Sequence, residues 1–486
     1  MLELIQSVNS AVNNFIWGVP AMICIIGVGL LLTIKTKFLQ IRKFPYAMKE
    51  TLGRVFKKQD ASDGSMTPFQ AVCTALASTV GTGNIAGVAG AIAIGGPGAV
   101  FWMWISAILG MCTKFSEVTL AVHFRERNQE GDYVGGPMYY IKNGLSKNWH
   151  FLAVLFSAFG VLTVFGTGNA TQVNTITTAI NSALLNFHVI SQSSVGTANL
   201  IIGIIVAILV ALILLGGIKR IGQVAERLVP FMAFIYIFFA LGVVVLNIDQ
   251  LPAVFGSIIN GAFHPASVTG GIVGSFFMSM KKGVARGIFS NEAGLGTGSI
   301  AHACADTIEP VKQGLWGIFE VFFDTFVICT LTALVILTTN IGSGAYENGS
   351  FFGAKNAAGE FVGASDSATA LSAFSSNLGT FGTVAFLIIL PLFAFTTVLA
   401  WSYYGEKAVD FCFRHKPENK RKIPVLIFKI IFILLIVFSS LIGSDLIWAL
   451  DDTFNGLMAL PNLIALVFLS GQVAHITKNY FDRKKG

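Results

Sequence analysis

The chain has 486 residues, of which 54% are hydrophobic and only 12% charged, and its formal net charge is +7. Soluble domains average about 25% charged residues, so this composition, together with many apolar runs of bilayer length, excludes a soluble globular protein. The positive charge is that of basic loops which orient membrane helices, not of a nucleic-acid binder. The six cysteines lie singly in or beside apolar runs and indicate neither disulfides nor a metal site.

The apolar runs predict an all-α polytopic membrane protein, because the short alternating segments of a β-barrel are not seen. The first run has no basic segment before it and no small-residue cleavage site, so we interpret it as a retained span and not a signal peptide. The eleven predicted spans are 15–34, 68–93, 97–123, 151–180, 198–217, 221–247, 268–299, 313–338, 379–410, 423–442 and 446–475.

Basic residues predict the orientation of these spans. The connection 35–67 holds eight Lys and Arg residues, 402–422 holds six, and 124–150 and the tail 476–486 hold four each. The connections on the opposite side hold one between them, Lys355. Since basic loops stay in the cytoplasm, the N-terminus is predicted outside and the C-terminus inside the cell.

Two spans are interrupted by polar and helix-breaking residues. The second contains STVGTGNIAG (78–87), and the seventh contains GGIVGSFFMSMKKGVARGIFSNEAGLG (270–296). The two spans run in opposite directions with five spans per unit. Irregular backbone is tolerated at membrane depth where it lines a cavity, and paired interruptions mark the binding site of a transporter. The sequence therefore predicts inverted repeats at 68–247 and 248–475.

Predictions for the N-terminal segment and for two connections between spans complete the domain organisation. Residues 1–67 form an extra N-terminal helix with its cytoplasmic loop. Residues 135–146 are predicted to form a short interfacial helix. The long outer connection 339–378, rich in Gly, Ser and Ala, is predicted to act as a lid.

Three long motifs resemble one known family. They are ALASTVGTGNIAGVAGAIAIGGPGAVFWMW (75–104), GVARGIFSNEAGLG (283–296) and TTVLAWSYYGE (396–406). Together they resemble the alanine or glycine:cation symporter family, and the resemblance covers nearly the whole chain. It implies a LeuT-type 5+5 inverted repeat with broken first and sixth core helices and one extra N-terminal helix. It also implies uptake of alanine or glycine, in some members glutamine, usually with Na⁺.

The first interruption is the predicted site for the amino acid's carboxylate. The N–H groups of Thr82 and Gly83 and the Asn84 side chain would hold it, because the free N–H groups at a half-helix start favour anions. The alternative is close packing of small residues between helices.

A Na⁺ ion needs oxygen ligands. Carbonyls of Ala77 and Val80 at the first interruption are one predicted source. The resemblance to LeuT-type folds adds the adjacent hydroxyls of Thr396 and Thr397 and the carbonyl of Phe393. Helical threonines also bond back to the preceding turn, which is the structural alternative.

Four further residues are predicted around the substrate. Trp401 shares a helix face with Phe393 and Thr397 and could cap the substrate side chain. Gln172 matches a glutamine that the resemblance places at the amino-acid site. Phe277 and Met280 could line the side-chain pocket. Each of the four has a packing or interhelical alternative.

Charged residues inside spans must pair or meet water. Lys281, Lys282 and Arg286, placed in or after the second interruption, are predicted to neutralise Glu320 and Asp324 as an inner gate or brace. Glu292 is predicted to accept backbone N–H groups, with a role in gating or proton movement as the alternative.

Asp451 and Asp452 lie near the outer end of the last span, where relatives of LeuT often place an acidic outer gate. The basic partner expected after the first break is missing between Asn84 and Trp104. The sequence therefore does not identify the residues of the outer gate.

The sequence thus predicts a Na⁺-coupled symporter of small neutral amino acids in the plasma membrane of a bacterium, with no organic cofactor. H⁺ coupling through Glu292 or Glu320 is the alternative, and a channel is a further one. An enzyme is not expected, because His302 and Asp306 lack a third ligand. The oligomeric state stays open.

Overall fold

The computed structural model describes residues 2–55, 66–128, 131–263, 271–340, 346–347, 350–351, 366–442 and 445–484, which are mostly helical. The helices are α1 (Leu2–Ile16), α2 (Val19–Lys35), α3 (Leu39–Arg42), α4 (Phe44–Val55), α5 (Pro68–Thr79), α6 (Ala86–Gly95), α7 (Gly98–His123), α8 (Pro137–Gly144), α9 (Phe151–Phe165), α10 (Thr171–Asn186), α11 (Val195–Leu214), α12 (Gly217–Leu246), α13 (Leu251–Phe263), α14 (Gly271–Asn291), α15 (Gly298–His302), α16 (Pro310–Val321), α17 (Thr330–Asn340), α18 (Asp366–Cys412), α19 (Glu418–Ser439) and α20 (Asp445–Arg483). Two antiparallel two-residue hairpins pair β1 (Glu126–Arg127) with β2 (Tyr133–Val134) and β3 (Tyr346–Glu347) with β4 (Ser350–Phe351).

Within the described ranges, eight helical segments are long and apolar enough to cross a membrane, or nine when α5 and α6 count as one bent span. A shorter apolar helix lies in α2. The helices α11 and α19 expose many Leu, Ile and Phe side chains, as lipid-facing helices do, whereas α5, α7 and α16 are largely buried. The count of eleven spans stays a prediction.

Both interruptions of the sequence are breaks in the structure. The helix α5 begins with a capping box in which the Thr67 hydroxyl accepts from Gln70 N–H and Gln70 Oε1 accepts from Thr67 N–H. It ends at Thr79, a single 3₁₀ turn covers Thr82–Asn84, and α6 leaves at an angle of 58°. The second break separates α14 from α15.

The second break lies later in the chain than the sequence indicated. The helix α14 runs without interruption through Lys281, Lys282 and Arg286 and ends only at Asn291. Positive φ angles then follow at Glu292 (54°), at Gly294 (99°) and at Gly296 (82°). An α-helix cannot continue through that conformation, which glycine adopts readily. The three basic residues therefore precede the break.

Two spans contain a wide π-helical turn. Gly166–Ala170 joins α9 to α10, and Phe322–Cys329 joins α16 to α17. Such turns leave carbonyl groups out of register and are frequent at functional sites. The second turn contacts the first break through Asp324, which accepts from Asn84, and the first turn is linked to it through Gln172, which bonds to Thr167 O and to Thr82.

Several segments predicted as connections or tails are helical. The predicted tail 476–486 continues α20 as far as Arg483, and Tyr480 is held by a 2.9 Å hydrogen bond between its hydroxyl and that of Tyr46. The short helix predicted at 135–146 is confirmed as α8. Of the predicted lid, residues 366–378 form the first part of α18, which kinks at Gly379 (φ 59°), and most of 341–365 lies outside the described residues.

Candidate functional site

The first break diverts two carbonyl groups from their helical partners. In a continuing helix the N–H of Gly81 would bond to Ala77 O, but it bonds to Thr79 O (3.0 Å) and to Asn84 Oδ1 (2.8 Å). The N–H of Asn84, the helical partner of Val80 O, bonds instead to Gly81 O (3.3 Å). The carbonyls of Ala77 and Val80, both predicted as cation ligands, are thereby released from regular helix bonding.

The hydroxyl of Thr397 on α18 meets this break. A Cβ built on Gly81 would stand 2.5 Å from Thr397 Oγ1, so the two elements approach more closely than a side chain at position 81 allows. Thr397 Oγ1 also donates to Phe393 O (3.0 Å). These oxygen atoms are of the type that Na⁺ prefers, so the residues present fit this ion.

Thr396 points elsewhere. Its hydroxyl donates to Phe393 O (3.0 Å) and lies 3.6 Å from Met232 Sδ on α12. Neighbouring helical residues project about 100° apart, so only one of the two hydroxyls faces the break. Of the two predicted threonine ligands, the structure places only Thr397 at the break, and ion binding by either residue stays a prediction.

The first break also contacts α10. Thr82 Oγ1 donates to Gln172 Oε1 (3.2 Å), and Gln172 Nε2 donates to Thr167 O (3.0 Å) in the π turn. Trp401 packs on the same turn, because a Cβ on Gly168 would stand 2.3 Å from Trp401 Cβ. Thr82, Gln172 and Trp401 are therefore joined through the turn Gly166–Ala170, and all three are buried.

The Asn84 amide is engaged at both ends. Its oxygen accepts from Gly81 N–H, and its nitrogen donates to Asp324 Oδ1 at 2.5 Å. Asp324 also accepts from Ser290 Oγ (2.9 Å) and from Thr325 Oγ1 (2.9 Å). Asn84 thus ties the first break to Asp324, and the N–H groups of Thr82 and Gly83 are the other predicted donors for a carboxylate.

The end of α14 crosses the first break, but through residues other than those predicted. A Cβ on Gly83 would lie 3.3 Å from Phe289 Cδ1 and 3.6 Å from Ser290 Cα. Phe277 lies about 18 Å away along α14, at 1.5 Å per residue, and is 49% exposed. Phe277 contacts Phe276, with ring centroids 5.7 Å apart. Its prediction as a pocket residue is wrong, and Met280 lies only one turn closer.

A charged cleft lies beside this crossing. It has a volume of about 110 Å³ and is lined by Lys281, Lys282, Arg286, Phe289 and Asp452, with Asn13 and Trp17 of the N-terminal segment. Trp17 Nε1 donates to Asp452 O (2.8 Å). The basic residues therefore face Asp452 on α20, on the side that the charge pattern predicts as outer.

The expected pairing of these basic residues with Glu320 and Asp324 is wrong. Glu320 Oε1 lies 2.9 Å from Lys114 Nζ, and Glu320 Oε2 lies 3.1 Å from His302 Nε2. Asp324 is held by the amide and hydroxyl donors named above. The cause is the position of the break, which places Lys281 and Arg286 before it, in the cleft beside Asp452.

Glu292 connects the two breaks. Its Oε2 lies 3.2 Å from Ser78 Oγ in the first break and 2.5 Å from Thr297 Oγ1 in the second. Glu292 was predicted to accept a backbone N–H of the second break. Gly294 N–H does bond to a glutamate there, but the glutamate is Glu117, through Oε1 (3.0 Å).

The two neighbouring aspartates of α20 differ in their surroundings. Asp452 lines the charged cleft, whereas Asp451 is buried and accepts from Thr167 Oγ1 (2.5 Å).

Sequence reasoning missed four residues at these contacts. Phe289 and Ser290 follow the basic stretch of α14, and their role depends on where that helix ends. Lys114 and Glu117 stand one turn apart in the apolar span 97–123. Two ionisable side chains on one face inside a span were the signal that could have found them.

A family model, described as the sodium:alanine symporter family, matches residues 2–486. An uncharacterized transporter of Haemophilus influenzae is 43% identical over 99% of this chain and 97% of its own length. The sodium/alanine symporter AgcS of Methanococcus maripaludis is 39% identical over 100% of this chain and 99% of its own. The probable sodium/glutamine symporter GlnT of Bacillus subtilis is 37% identical over 100% and 92%.

Among solved structures, that of MhsT in complex with L-phenylalanine matches with a TM-score of 0.54 at 15% identity, covering 86% of this chain and 99% of MhsT. At that identity the likeness concerns the fold alone, and it confirms the LeuT-type architecture. The relatives are transporters and not enzymes. The chain therefore belongs to the sodium:alanine symporter family, whose members carry amino acids together with a cation.

Proposed function

We propose that this protein imports small neutral amino acids, alanine and glycine first and glutamine as a third candidate, together with Na⁺. The observation that carries the proposal is the approach of Thr397 Oγ1 to the first break at Gly81. It brings a hydroxyl to the place where the carbonyls of Ala77 and Val80 leave the helix. The relatives AgcS, a sodium/alanine symporter, and GlnT, a probable sodium/glutamine symporter, support both the ion and the substrate class.

The Na⁺ ion is proposed to bind the carbonyls of Ala77, Val80 and Phe393 and the hydroxyl of Thr397. The set is neutral, and a hard monovalent cation is satisfied by such oxygens. The Thr397 hydroxyl donates its hydrogen to Phe393 O, so the lone pairs of its oxygen stay available to an ion at the break. Thr396 is left out of the proposed set, because its hydroxyl faces α12.

The amino acid is proposed to bind beside the ion. The N–H groups of Thr82 and Gly83 would hold its carboxylate, with the Gln172 amide next to them. Trp401 and Phe289 would enclose a small side chain, which favours alanine and glycine over larger residues. Asn84 is proposed to hold the break in shape.

Transport of the ion and of the amino acid is coupled because both ligands order the same segment, the first break. The ion and the amino acid both need residues 77–84 in one conformation, so binding of either one favours binding of the other. Inward movement of one Na⁺ ion releases about 2.3 kcal/mol of free energy per 100 mV of membrane potential, and the Na⁺ concentration gradient adds to this. The inverted repeats 68–247 and 248–475 are proposed to rock about this site.

The proposed outer gate combines Phe289 with the charged groups above it. Arg286 and Lys282 on α14 face Asp452 on α20 across the cleft. A Cβ on Gly87, just past the first break, would lie 3.9 Å from Arg286 Cδ. Arg286 thus takes the place of the basic residue that the first break lacks.

The protein is proposed to lie in the plasma membrane with its N-terminus outside and its C-terminus in the cytoplasm. Single cysteines placed near each terminus of a variant without its own cysteines, labelled by an impermeant maleimide on intact cells, test this orientation. Labelling at the N-terminal position only is expected. Labelling at the C-terminal position only would reverse the orientation.

Uptake into proteoliposomes tests the function. Radiolabelled alanine, glycine and glutamine are offered under an inward Na⁺ gradient and, separately, under a pH gradient without Na⁺. We expect accumulation under the Na⁺ gradient. Accumulation under the pH gradient alone would favour H⁺ coupling through the buried glutamates, and a flux that only equilibrates would indicate a channel.

A further inference from the structure

The second break is surrounded by ionisable side chains that neither substrate binding nor Na⁺ binding uses. Lys114 and Glu117 come from α7, Glu292 from the break itself and Glu320 from α16. Their exposed fractions are between 0 and 2%. A buried charge is costly unless it is paired or neutralised, so the charges of this group must be accounted for one by one.

Glu117 holds the break in place through one oxygen. Its Oε1 accepts from Gly294 N–H (3.0 Å) and from Asn462 Nδ2 (2.7 Å), and the Asn462 amide also donates to Gly294 O (2.8 Å). Its other oxygen, Oε2, is buried and has no hydrogen-bond partner among the residues that the structure describes. If Glu117 were ionised, this buried oxygen would carry charge without a protein donor.

The cations nearby do not balance the carboxylates. Lys114 Nζ pairs with Glu320 at 2.9 Å and also donates a hydrogen bond to Asn291 O (3.2 Å). His302 adds no charge, because Gln313 Nε2 donates to its Nδ1 (2.8 Å) and its Nε2 faces Glu320. With all three carboxylates ionised, the group would carry two more negative than positive charges.

Glu292 differs from Glu117 in its donors, which are hydroxyl groups. Two hydroxyl groups, of Ser78 and Thr297, lie within 3.2 Å of its Oε2. The further titratable groups that face the break from the elements packed on it are phenols. Tyr140 on α8 donates to Asn462 Oδ1, and Tyr404 on α18 lies 3.1 Å from Ser78 Oγ. Neither brings a positive charge. Glu117 is distinguished from Glu292 by a buried second oxygen that no donor of the described residues reaches.

We propose that Glu117 is a proton-binding site, protonated on Oε2 while the second break is closed as it is here. The proton neutralises the carboxylate and leaves Oε1 free to accept its two N–H bonds. A metal ion does not suit this place, because the N–H groups of Gly294 and Asn462 point at the carboxylate, whereas a metal ion needs oxygen ligands.

The proton is linked to the movement of the break. A solvated glutamate has lost its proton at neutral pH. If water reaches Glu117 when α15 and α20 separate, the proton leaves, and it returns when the break closes. This linkage deepens the proposed symport, but the protonation of Glu117 in the closed protein does not depend on which amino acid or cation is carried.

Infrared spectroscopy on the purified full-length protein tests the proposal without a substrate. The difference spectrum between the wild type and Glu117→Gln, at pH 7.5, is expected to show the loss of one protonated carboxyl C=O band. Loss of an ionised carboxylate band instead would overturn the proposal. Gln keeps an acceptor for Gly294 N–H and Asn462, so the variant retains the contacts of the break. Glu117→Asp, which moves the band instead of removing it, serves if Glu117→Gln does not fold.

A second measurement addresses the linkage. Only the fraction of the protein that is open and deprotonated without substrate can take up a proton when Na⁺ and alanine close the break. Proton uptake on adding Na⁺ and alanine in weakly buffered detergent solution is therefore expected to be above zero and below one per alanine bound, with alanine binding followed by calorimetry. Glu117→Gln should remove this uptake, and Glu126→Gln, in a surface pair with Lys142 (2.8 Å), should keep it. Binding without any proton uptake in the wild type would overturn the linkage. An absence of alanine binding would contradict the proposed function, while the infrared result on Glu117 would stand by itself.

Discussion

The ring of Phe289 lies against Gly83, where a Cβ would stand 3.3 Å from Phe289 Cδ1. The same ring lines the charged cleft, and the Arg286 guanidinium lies 5.6 Å from its centroid. One side chain thus separates the cleft from the first break. It makes a cation–π contact with Arg286 and also abuts Gly83, a residue without a side chain.

Removal of this ring should open the substrate region toward the cleft. We expect Phe289→Ala to weaken alanine binding by about tenfold or more, mainly through faster dissociation, because a lost gate affects release more than arrival. Dissociation of radiolabelled alanine from the purified protein measures this. Met278→Ala, at a 45% exposed position of the same helix, is the control that should bind as the wild type does. An unchanged dissociation rate in Phe289→Ala would remove Phe289 from the proposed gate.

The adjacent threonines of α18 give a matched pair for the ion. Thr397→Ala removes the hydroxyl that reaches Gly81, whereas Thr396→Ala removes one that faces Met232. A lost ligand worth about 1.4 kcal/mol raises the half-saturating Na⁺ concentration tenfold, and this is expected for Thr397→Ala. The effect of Thr396→Ala should be clearly smaller. Equal effects of the two substitutions on Na⁺-dependent uptake would contradict the proposed ligand set.

The two breaks could be predicted from the sequence because Gly, Thr, Ser and Asn inside an apolar run conflict with a lipid-facing helix. Residue types did not indicate where the second break begins. That depends on the positive φ angles at Glu292, Gly294 and Gly296, and the preceding Gly283 and Gly287 remain helical. The error moved Lys281 and Arg286 to the wrong side of the break.

Charge partners were the least predictable part of the site. The sequence suggested basic residues of the seventh span as partners of Glu320 and Asp324, but Lys114 reaches Glu320 from a helix about 200 residues earlier in the chain. Such pairs are set by helix packing, which a single sequence does not encode locally. By contrast, Thr82 and Gln172 were both predicted at the substrate, and the structure brings them into contact.

The close approach of Trp401 to the π turn depends on Gly168. A Cβ there would stand 2.3 Å from Trp401 Cβ, well inside normal contact distance, so one of the two must move. We expect Gly168→Ala to displace the indole and to reduce alanine affinity, with an accompanying shift in tryptophan fluorescence. Gly160→Ala on the preceding α9 is the control, since its Cβ would meet only ordinary contacts from 3.6 Å. Wild-type affinity in Gly168→Ala would exclude Trp401 from the pocket.

The buried pair of Lys114 and Glu320 should matter more to stability than the surface pair of Lys142 and Glu126. Lys114→Met leaves the Glu320 charge buried with only His302 beside it, and breaking such a pair typically costs about 3–5 kcal/mol. Lys142→Met removes a pair whose side chains are about one third exposed, where the cost is about 0–1 kcal/mol. Thermal unfolding of the purified protein in detergent compares the two.

The double variant Lys114→Met with Glu320→Gln separates the effect of the unpaired Glu320 charge from the effect of losing the Lys114 side-chain packing. Neutralising Glu320 removes the unpaired buried charge while keeping an amide that can bond to His302. We therefore expect the double variant to unfold at a higher temperature than Lys114→Met alone. If adding Glu320→Gln lowers the unfolding temperature further, the cost of Lys114→Met lies in the lost packing of its side chain between α7 and α16, and the ion pair is not what stabilises this contact.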